Sequence, residues 1–233
     1  MASAWFPRSP ALALLLGVSC VPQPRMCAAE RECGGHASCV AGRCVAQGAT
    51  AAIDNGRRLI FDPVDTAFVS RNPCCGEGVP AGADLATLGR TRDGGALALL
   101  RFDVALPPEA VLLEAYVLLE RAADVDADPV AIDLHAARIV DAWDSGSVTW
   151  ARAPRLEEVG APITRVTADA PPLVRLEVRD LVQRWRRRGG ADFGVAVVAD
   201  GTSATGVTFA WRARQAGGPA KLEPGPRLEL YVR

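Results

Sequence analysis

The sequence is poor in several features that mark common functional classes, beginning with histidine and lysine. Only His36 and His135 occur among 233 residues, and Lys221 is the single lysine beside 25 arginines. The formal net charge of −1 argues against a nucleic-acid-binding surface, because such surfaces usually carry a large basic excess. The excess of arginine over lysine is interpreted as coding bias, with selection for anion recognition as the alternative.

The main domain also lacks the side chains of a typical hydrolytic site. Its one histidine, His135, lies in a strand-like stretch and is expected to be a structural imidazole. Carboxylates occur at Glu157 and Glu158 and at Glu114 and Glu120, but nothing in the pattern places either pair in a shared cleft. We therefore expect no enzymatic activity.

The apolar run near the start of the chain is too short to be a membrane span. It covers Ala11–Val18, whereas crossing a bilayer as a helix takes about 20 apolar residues. Arg8 precedes the run, and the small Ser19 follows it. This arrangement predicts a signal peptide over residues 1–19.

The segment Leu16–Cys20 resembles a bacterial lipobox, although Gly17 stands where leucine is usual. The resemblance implies that Cys20 is lipidated and anchors the protein to a membrane. Val21 is not the aspartate that commonly retains lipoproteins at the inner membrane, so the outer membrane or cell surface is expected. Ordinary cleavage followed by secretion is the alternative.

The number of cysteines supports export, because lipidation of Cys20 would leave an even number of the seven. The segment 27–45 is too short to form its own hydrophobic core, so disulfides are expected to hold its shape. His36 raises a zinc alternative, but the C-x5-C spacing is unlike the short knuckles of zinc sites. The cysteines of this segment are Cys27, Cys33, Cys39 and Cys44.

The spacing C-x5-C-x5-C-x4-C resembles a truncated EGF-like knot, and the resemblance implies the pairs Cys27–Cys39 and Cys33–Cys44 among three possible connectivities. We interpret this segment as a disulfide-linked spacer between the anchor and the main domain. The other two cysteines, Cys74 and Cys75, are adjacent. We expect a disulfide between them that locks an exposed loop. There are two alternatives: the strained disulfide ring could form a rigid apolar surface that stacks on a sugar, or the two thiols could bind a metal.

The rest of the chain divides into an anchor and tether over residues 20–26, a linker over 46–57 and a main domain over 58–233. Short apolar or alternating stretches, bounded by Gly, Pro or Asp, recur along the main domain. They predict an all-β fold, an antiparallel two-sheet sandwich of jelly-roll type with one short helix over Arg179–Arg188. The predicted strands are Leu59–Phe61, Ala67–Ser70, Leu85–Leu88, Ala96–Phe102, Leu112–Leu119, Val130–Arg138, Val148–Trp150, Ile163–Val166, Val174–Val178, Phe193–Ala199, Val207–Trp211 and Arg227–Val232.

Short motifs follow one another in a distinctive order along the main domain. They are Asp65-Thr66, Leu100-Arg101-Phe102-Asp103, Leu106-Pro107, Val111–Leu119, Trp143, Val148-Thr149-Trp150 with Pro154, Leu181-Val182 with Trp185, Gly194–Val198 and Pro226-Arg227-Leu228. This order is similar to that of the DNRLRE domain, also classed as carbohydrate-binding module family 96. The resemblance implies a non-catalytic domain that binds polysaccharide. A structural envelope or matrix protein that engages protein partners without binding sugar is the alternative.

An aromatic ring beside cations is the expected binding platform. Trp211 ends a predicted strand and is followed by Arg212 and Arg214, and Arg71 is expected to join them. The ring would stack on a sugar, and the guanidinium groups would suit the carboxylates of uronic acids. A core tryptophan flanked by solvated charges is the alternative. Core positions are expected for Trp143, Trp150 and Trp185.

No metal site or cofactor is predicted. Asp124, Asp126 and Asp128 have the spacing of the first three ligands of an EF-hand calcium loop. However, Pro129 and His135 stand where that loop needs glycine and glutamate. These aspartates are better explained as a polar hairpin turn. A structural calcium ion bound by other loops is left open.

The basic residues of the predicted helix are interpreted as solvated. Arg184 and Arg186–Arg188 crowd its last turns, where cations complement the helix dipole. The expected partners are therefore a polysaccharide, possibly an acidic one, and a membrane reached through the lipid anchor. The oligomeric state is left open.

Overall fold

The structure is a computed structural model that describes most of the main domain and part of the cysteine-rich segment. The described residues are 27, 32–34, 37–40, 42–46, 56–71, 85–90, 95–122, 131–158, 160–168, 170–188, 193–211 and 225–233. The predictions made for Cys20, for Cys74 and Cys75, and for the aspartates 124, 126 and 128 lie outside these residues.

Strands dominate the described residues, as the alternating pattern predicted. They are β1 (Ala37–Val40), β2 (Arg43–Ala46), β3 (Arg57–Phe61), β4 (Pro63–Ser70), β5 (Leu85–Leu88), β6 (Ala96–Phe102), β7 (Leu112–Glu120), β8 (Ile132–Ile139), β9 (Leu156–Glu157), β10 (Thr164–Val166), β11 (Leu173–Glu177), β12 (Val195–Asp200), β13 (Val207–Ala210) and β14 (Arg227–Val232). The helix α1 spans Arg179–Arg188, as predicted, and a short 3-10 helix spans Trp150–Arg152.

The strands form two main antiparallel sheets. One has six strands in the order β10-β8-β12-β6-β4, with β9 paired to β8, and the other has four in the order β11-β7-β14-β3. Two smaller pairs, β13-β5 and β1-β2, accompany them. The prediction of an all-β antiparallel sandwich with one short helix is confirmed.

The main core lies between the two sheets. Along β6, Ala98 and Leu100 point into it, and along β14, Leu228 and Leu230 meet them from the opposite sheet. The alternation follows from the two-residue period of a strand, which sends successive side chains to opposite faces. Each fully buried leucine contributes about 1.5–3 kcal/mol relative to an exposed one, so this shared core dominates the stability of the domain.

A second core lies on the outer face of the six-stranded sheet. Leu99 and Ala196 point to this face and are covered by the segment 140–158, from which Trp143 packs against them. The indole Nε1 of Trp143 donates a hydrogen bond to the carbonyl oxygen of Phe193 at 2.6 Å. The prediction that Trp143 lies in a core is therefore confirmed.

The predicted strand over Val148–Trp150 is wrong. The amides of Ser147 and Val148 both donate to the carbonyl oxygen of Asp144, which folds this stretch into a turn that leads into the 3-10 helix. Trp150 is only partly buried and belongs to neither core; its ring lies against Gly95, where a Cβ would sit 2.7 Å from it. The apolar pattern of this stretch reflects packing rather than strand pairing.

The cysteine-rich segment forms the hairpin β1-β2, in which Cys39 lies opposite Cys44. The predicted disulfide Cys33–Cys44 is present. Cys27 is also disulfide-bonded, while the side chain of Cys39 lies outside the described part of the chain, so their pairing stays a prediction. Among the described residues, no helix is both long and apolar enough to cross a membrane.

The positive φ angle of Gly194 leads to a stability prediction. Its φ is +98°, and a Cβ there would lie 2.0 Å from the backbone oxygen of Leu100. Gly194→Ala should lower the free energy of unfolding by more than about 3 kcal/mol, because both backbone strain and a main-chain clash oppose it. Urea unfolding of the purified protein measures this change.

Gly160→Ala is the matched control. Gly160 also has a positive φ, +66°, but its added Cβ would meet no atom within 4 Å. It should cost only about 1 kcal/mol, the strain of the left-handed conformation. Equal losses in the two variants would contradict the proposed clash.

The pairing of Asp141 with Arg155 generates a prediction about acid stability. The Arg155 guanidinium and amide donate to the carboxylate, and these hydrogen bonds lower the pKa of Asp141 from 3.8 to about 2. A lowered folded-state pKa means that the pair stabilises the protein above about pH 3.8 and loses this effect as the pH falls through about 2. Asp141→Asn should therefore lower Tm at neutral pH, and the difference from wild type should shrink between pH 4 and 2. Thermal unfolding across this range tests it, and a difference independent of pH would contradict it.

Candidate functional site

The candidate site is a cleft at one end of the sandwich, between helix α1 and the segment 103–111 that joins β6 to β7. We call it the α1 cleft. Its volume is about 1170 Å³, slightly above the roughly 300–1,000 Å³ of pockets that enclose small molecules. The cleft is therefore large enough for a ligand longer than a single small ring.

Helix α1 forms one wall because its apolar side is anchored in the main core. Leu181 and Val182 are buried there, and Trp185 packs against the core from the same side of the helix. The amide of Val178, just before the helix, donates to Ala115 of β7 and fixes where the helix starts. Asp180 in the first turn complements the helix dipole.

The other wall is the segment 103–111, which the helix holds through an arginine. Arg186 Nη2 donates to the carbonyl oxygens of Pro107 and Pro108, at 3.3 and 3.2 Å. Val111 at the end of the segment exchanges two backbone hydrogen bonds with Arg233. Both walls of the cleft are thus tied to the sandwich by directional contacts.

Apolar side chains line much of the cleft and are unusually open to water. Val64 is 60% exposed and Val111 is 48% exposed. Val104, Leu106 and Trp185 continue this surface. Exposed apolar surface inside a concave site is typical of ligand-binding clefts.

The charged lining of the cleft is strongly biased toward cations. The lining includes one carboxylate, Asp103, and four arginines, of which Arg101 is already paired with Asp65 outside the lining; the arginines are Arg101, Arg179, Arg186 and Arg187. Guanidinium groups in a partly desolvated cleft favour planar anions, which they can bind through two parallel hydrogen bonds. The cleft therefore combines apolar surface with anion-binding groups.

The four arginines differ in how firmly they are held. Arg101 donates to Asp65 Oδ2 at 2.9 Å and to the carbonyl oxygen of Trp143 at 3.2 Å, and its guanidinium lies 5.5 Å from the Trp143 ring centroid. The side chains of Arg179 and Arg187 make no hydrogen bond or ion pair with any residue that the structure describes. These two side chains are therefore the ones available to a ligand.

Trp185 carries an unsatisfied donor beside the cleft. Its indole Nε1 is buried and has no hydrogen-bond partner among the described residues. A buried donor left without a partner costs about 1–3 kcal/mol. The indole ring lines the cleft. Trp185 was predicted at a core position, and the structure shows it packed against the core but only partly buried.

The predicted binding platform is not assembled as expected. Trp211 is 5% exposed and packs in the main core, so the prediction that its ring stacks on a ligand is corrected. Arg71 is exposed at the end of β4, but it does not line the α1 cleft. Arg212 and Arg214 lie outside the described residues.

The missed signal was helical periodicity among the basic residues. Arg179, Gln183, Arg186 and Arg187 fall on one side of a helix with 3.6 residues per turn, and the structure places all four at the cleft. The interpretation of the helix arginines as merely solvated is therefore incomplete. The motifs Arg101-Phe102-Asp103 and Leu106 also meet at this cleft.

Two other clusters have structural explanations. His135 Nδ1 lies 2.8 Å from Asp200 Oδ2 across adjacent strands, in agreement with a structural imidazole. The sulfur atoms of Cys27, Cys33 and Cys44 lie within 4.8 Å of one another. All three cysteines are disulfide-bonded, so no free thiolate of this group is available to zinc.

Comparison of the chain with protein-family models and with curated proteins finds no match. The α1 cleft is therefore interpreted from its own residues. Its lining residues supply cations, one carboxylate, an indole and aliphatic surface. This set can hold an anionic ligand that also has apolar faces.

Proposed function

We propose that the chain is an exported, non-catalytic protein whose β-sandwich binds an acidic polysaccharide in the α1 cleft. The observation that carries the proposal is the row of arginines on α1 beside the apolar wall of the cleft. The similarity of the sequence motifs to the DNRLRE domain supports the same reading. Several of these motifs line the cleft, including Arg101-Phe102-Asp103 and Trp185.

A sugar chain fits the cleft better than a purely polar ligand would. A pyranose ring has apolar C–H faces and polar edges, so it gains from aromatic and aliphatic surface as well as from hydrogen bonds. Trp185, Val64 and Val111 offer the apolar surface. Gln183 offers an amide between the two unengaged arginines of the helix.

The acidic character of the ligand follows from charge. Arg179 and Arg187 are unengaged among the described residues, so a bound carboxylate would not have to displace an existing ion pair. Each arginine can bind a uronate carboxylate through two hydrogen bonds. A neutral glycan would leave these cations partly desolvated without partners, which is unfavourable.

Removing the unengaged arginines should weaken binding of a uronic-acid polymer. We expect the double variant Arg179→Ala, Arg187→Ala to raise Kd at least about tenfold, because two charge-assisted contacts in a partly exposed cleft contribute about 1.4 kcal/mol or more. Affinity electrophoresis and calorimetry at two salt concentrations measure the change. Wild-type affinity should fall with added salt.

The double variant Arg152→Ala, Arg165→Ala is the matched control, since it removes the same charge from exposed positions outside the cleft. A polymer whose carboxyls have been reduced to alcohols controls for anion recognition. Failure of the wild type to bind either polymer would reject polysaccharide binding and favour a structural role. Equal weakening in both double variants would reject the α1 cleft as the site.

Attachment at Cys20 and location at the outer membrane or cell surface belong to the same proposal. They rest on the lipobox-like segment before Cys20. Mass spectrometry of the mature N-terminus from a bacterial host should find Cys20 as the first residue, with its thiol diacylated. Cleavage elsewhere or an unmodified Cys20 would contradict the anchor and leave secretion.

A further inference from the structure

The outer face of β14, in the four-stranded sheet, is buried where it would be expected to meet water. On β14, Leu228 and Leu230 point into the core, so Glu229 and Tyr231 point to the outer face. Glu229 nevertheless has 0% exposure, and Tyr231 has 6%. A charged side chain is almost never buried so completely unless it is paired and covered.

Residues of the cysteine-rich segment pack beside this face; we call the described ones, 27, 32–34, 37–40 and 42–46, the strap. Arg175 of β11 connects the two: its Nη1 donates to the carbonyl oxygen of Cys27 at 3.3 Å, and its Nε lies 3.6 Å from Glu229 Oε2. Gly42 of the strap lies against the same side chain, since a Cβ there would be 3.0 Å from Arg175 Nη1. The strap is thus packed on the main domain and is not only a spacer beside it.

On this face, carboxylates are paired with an arginine and with tyrosine hydroxyl groups. Arg58 and Glu229 form an ion pair, and the Tyr231 hydroxyl donates to the same carboxylate at 3.2 Å. Tyr116 on the neighbouring strand β7 donates to Glu114 at 2.9 Å. Burial and Glu114 raise the pKa of Tyr116, while the strap residue Arg43 acts in the opposite direction.

The fold of the strap depends on its disulfides. The strap is too short to bury a core of its own, so its shape rests on cross-links and on the sheet beneath it. Cys33–Cys44 closes the end of the strap that carries Gly42 and Arg43. Without this bond, ordering the strap would cost more conformational entropy, and only its contacts with Arg175 and the sheet would offset that cost.

We propose that the strap is a redox-releasable cover for the outer face of β14, held closed by Cys33–Cys44. A small dithiol would open it by thiol–disulfide exchange: one dithiol is oxidised to its cyclic disulfide, and Cys33 and Cys44 each become a thiol. Release exposes Glu229, Tyr231 and Arg175, while the two-sheet core stays folded. In an oxidising compartment the strap stays closed.

The two tyrosines make this proposal measurable, because Tyr116 and Tyr231 are the only tyrosines of the chain and both lie on the covered face. The full-length protein is compared in its oxidised form and after dithiol treatment, in which case its thiols are blocked with iodoacetamide and the dithiol is removed. Both forms are then nitrated with tetranitromethane, and the modified peptides are quantified by mass spectrometry. Reduction should raise the nitration rate of Tyr231 at least tenfold. The Cys33→Ser, Cys44→Ser variant should react at the fast rate without any reductant.

Two further variants separate strap release from other effects. Arg175→Gln keeps the disulfide but weakens the contact with Cys27, so it should also speed nitration. Cys74→Ser, Cys75→Ser removes a cysteine pair outside the strap and should react like the oxidised wild type. Fluorescence of the buried Trp143 and Trp211 reports whether the core remains folded.

Unchanged nitration of Tyr231 when alkylation shows Cys33 and Cys44 to be reduced would overturn the proposal. So would fast nitration accompanied by loss of the buried tryptophan signal, because that result means global unfolding. If the Cys74→Ser, Cys75→Ser variant showed an equal increase in the nitration rate of Tyr231, release of the strap would not depend specifically on the Cys33–Cys44 disulfide. Glycan binding plays no part in any of these readouts.

Discussion

Burial of one apolar face of each sheet against the other is the interaction on which the rest of this structure depends. The central strands β6, β12, β7 and β14 contribute side chains that are almost fully buried, such as Leu100 and Val197 on one side and Val117 and Leu228 on the other. Helix α1 adds Leu181 and Val182 to the same core. Removing this shared surface would leave neither sheet, nor the helix, with a partner.

The two outer faces of the sandwich are covered in different ways. The segment 140–158 covers the six-stranded sheet with apolar packing around Trp143. The strap covers part of the four-stranded sheet with polar contacts centred on Arg175 and Glu229. Apolar burial is indifferent to redox conditions, whereas a short cross-linked segment depends on its disulfides. This difference is why the strap, and not the segment 140–158, is the part proposed to open.

Arginine serves two purposes in this chain. Arg58, Arg101, Arg138 and Arg155 are paired with carboxylates and join neighbouring elements. Arg179 and Arg187 have no such partner among the described residues and face the α1 cleft. A coding bias can explain how many arginines there are, but it does not explain their convergence on one cleft.

The features that depend on local pattern could be predicted from the sequence. Two-residue alternation predicted most strands to within one or two residues, helical spacing predicted α1, and cysteine content predicted the Cys33–Cys44 bond with the help of an EGF-like resemblance. Which apolar or charged side chains meet depends instead on how distant parts of the chain pack together. The sequence predicted Trp185 in the core and Trp211 on the binding platform, yet Trp211 is buried and Trp185 lines the cleft. Likewise, Glu229 is a charged residue in a strand, and only the packed structure shows that it is fully buried. Contacts between residues more than 100 positions apart arise from sheet packing, which no local pattern encodes.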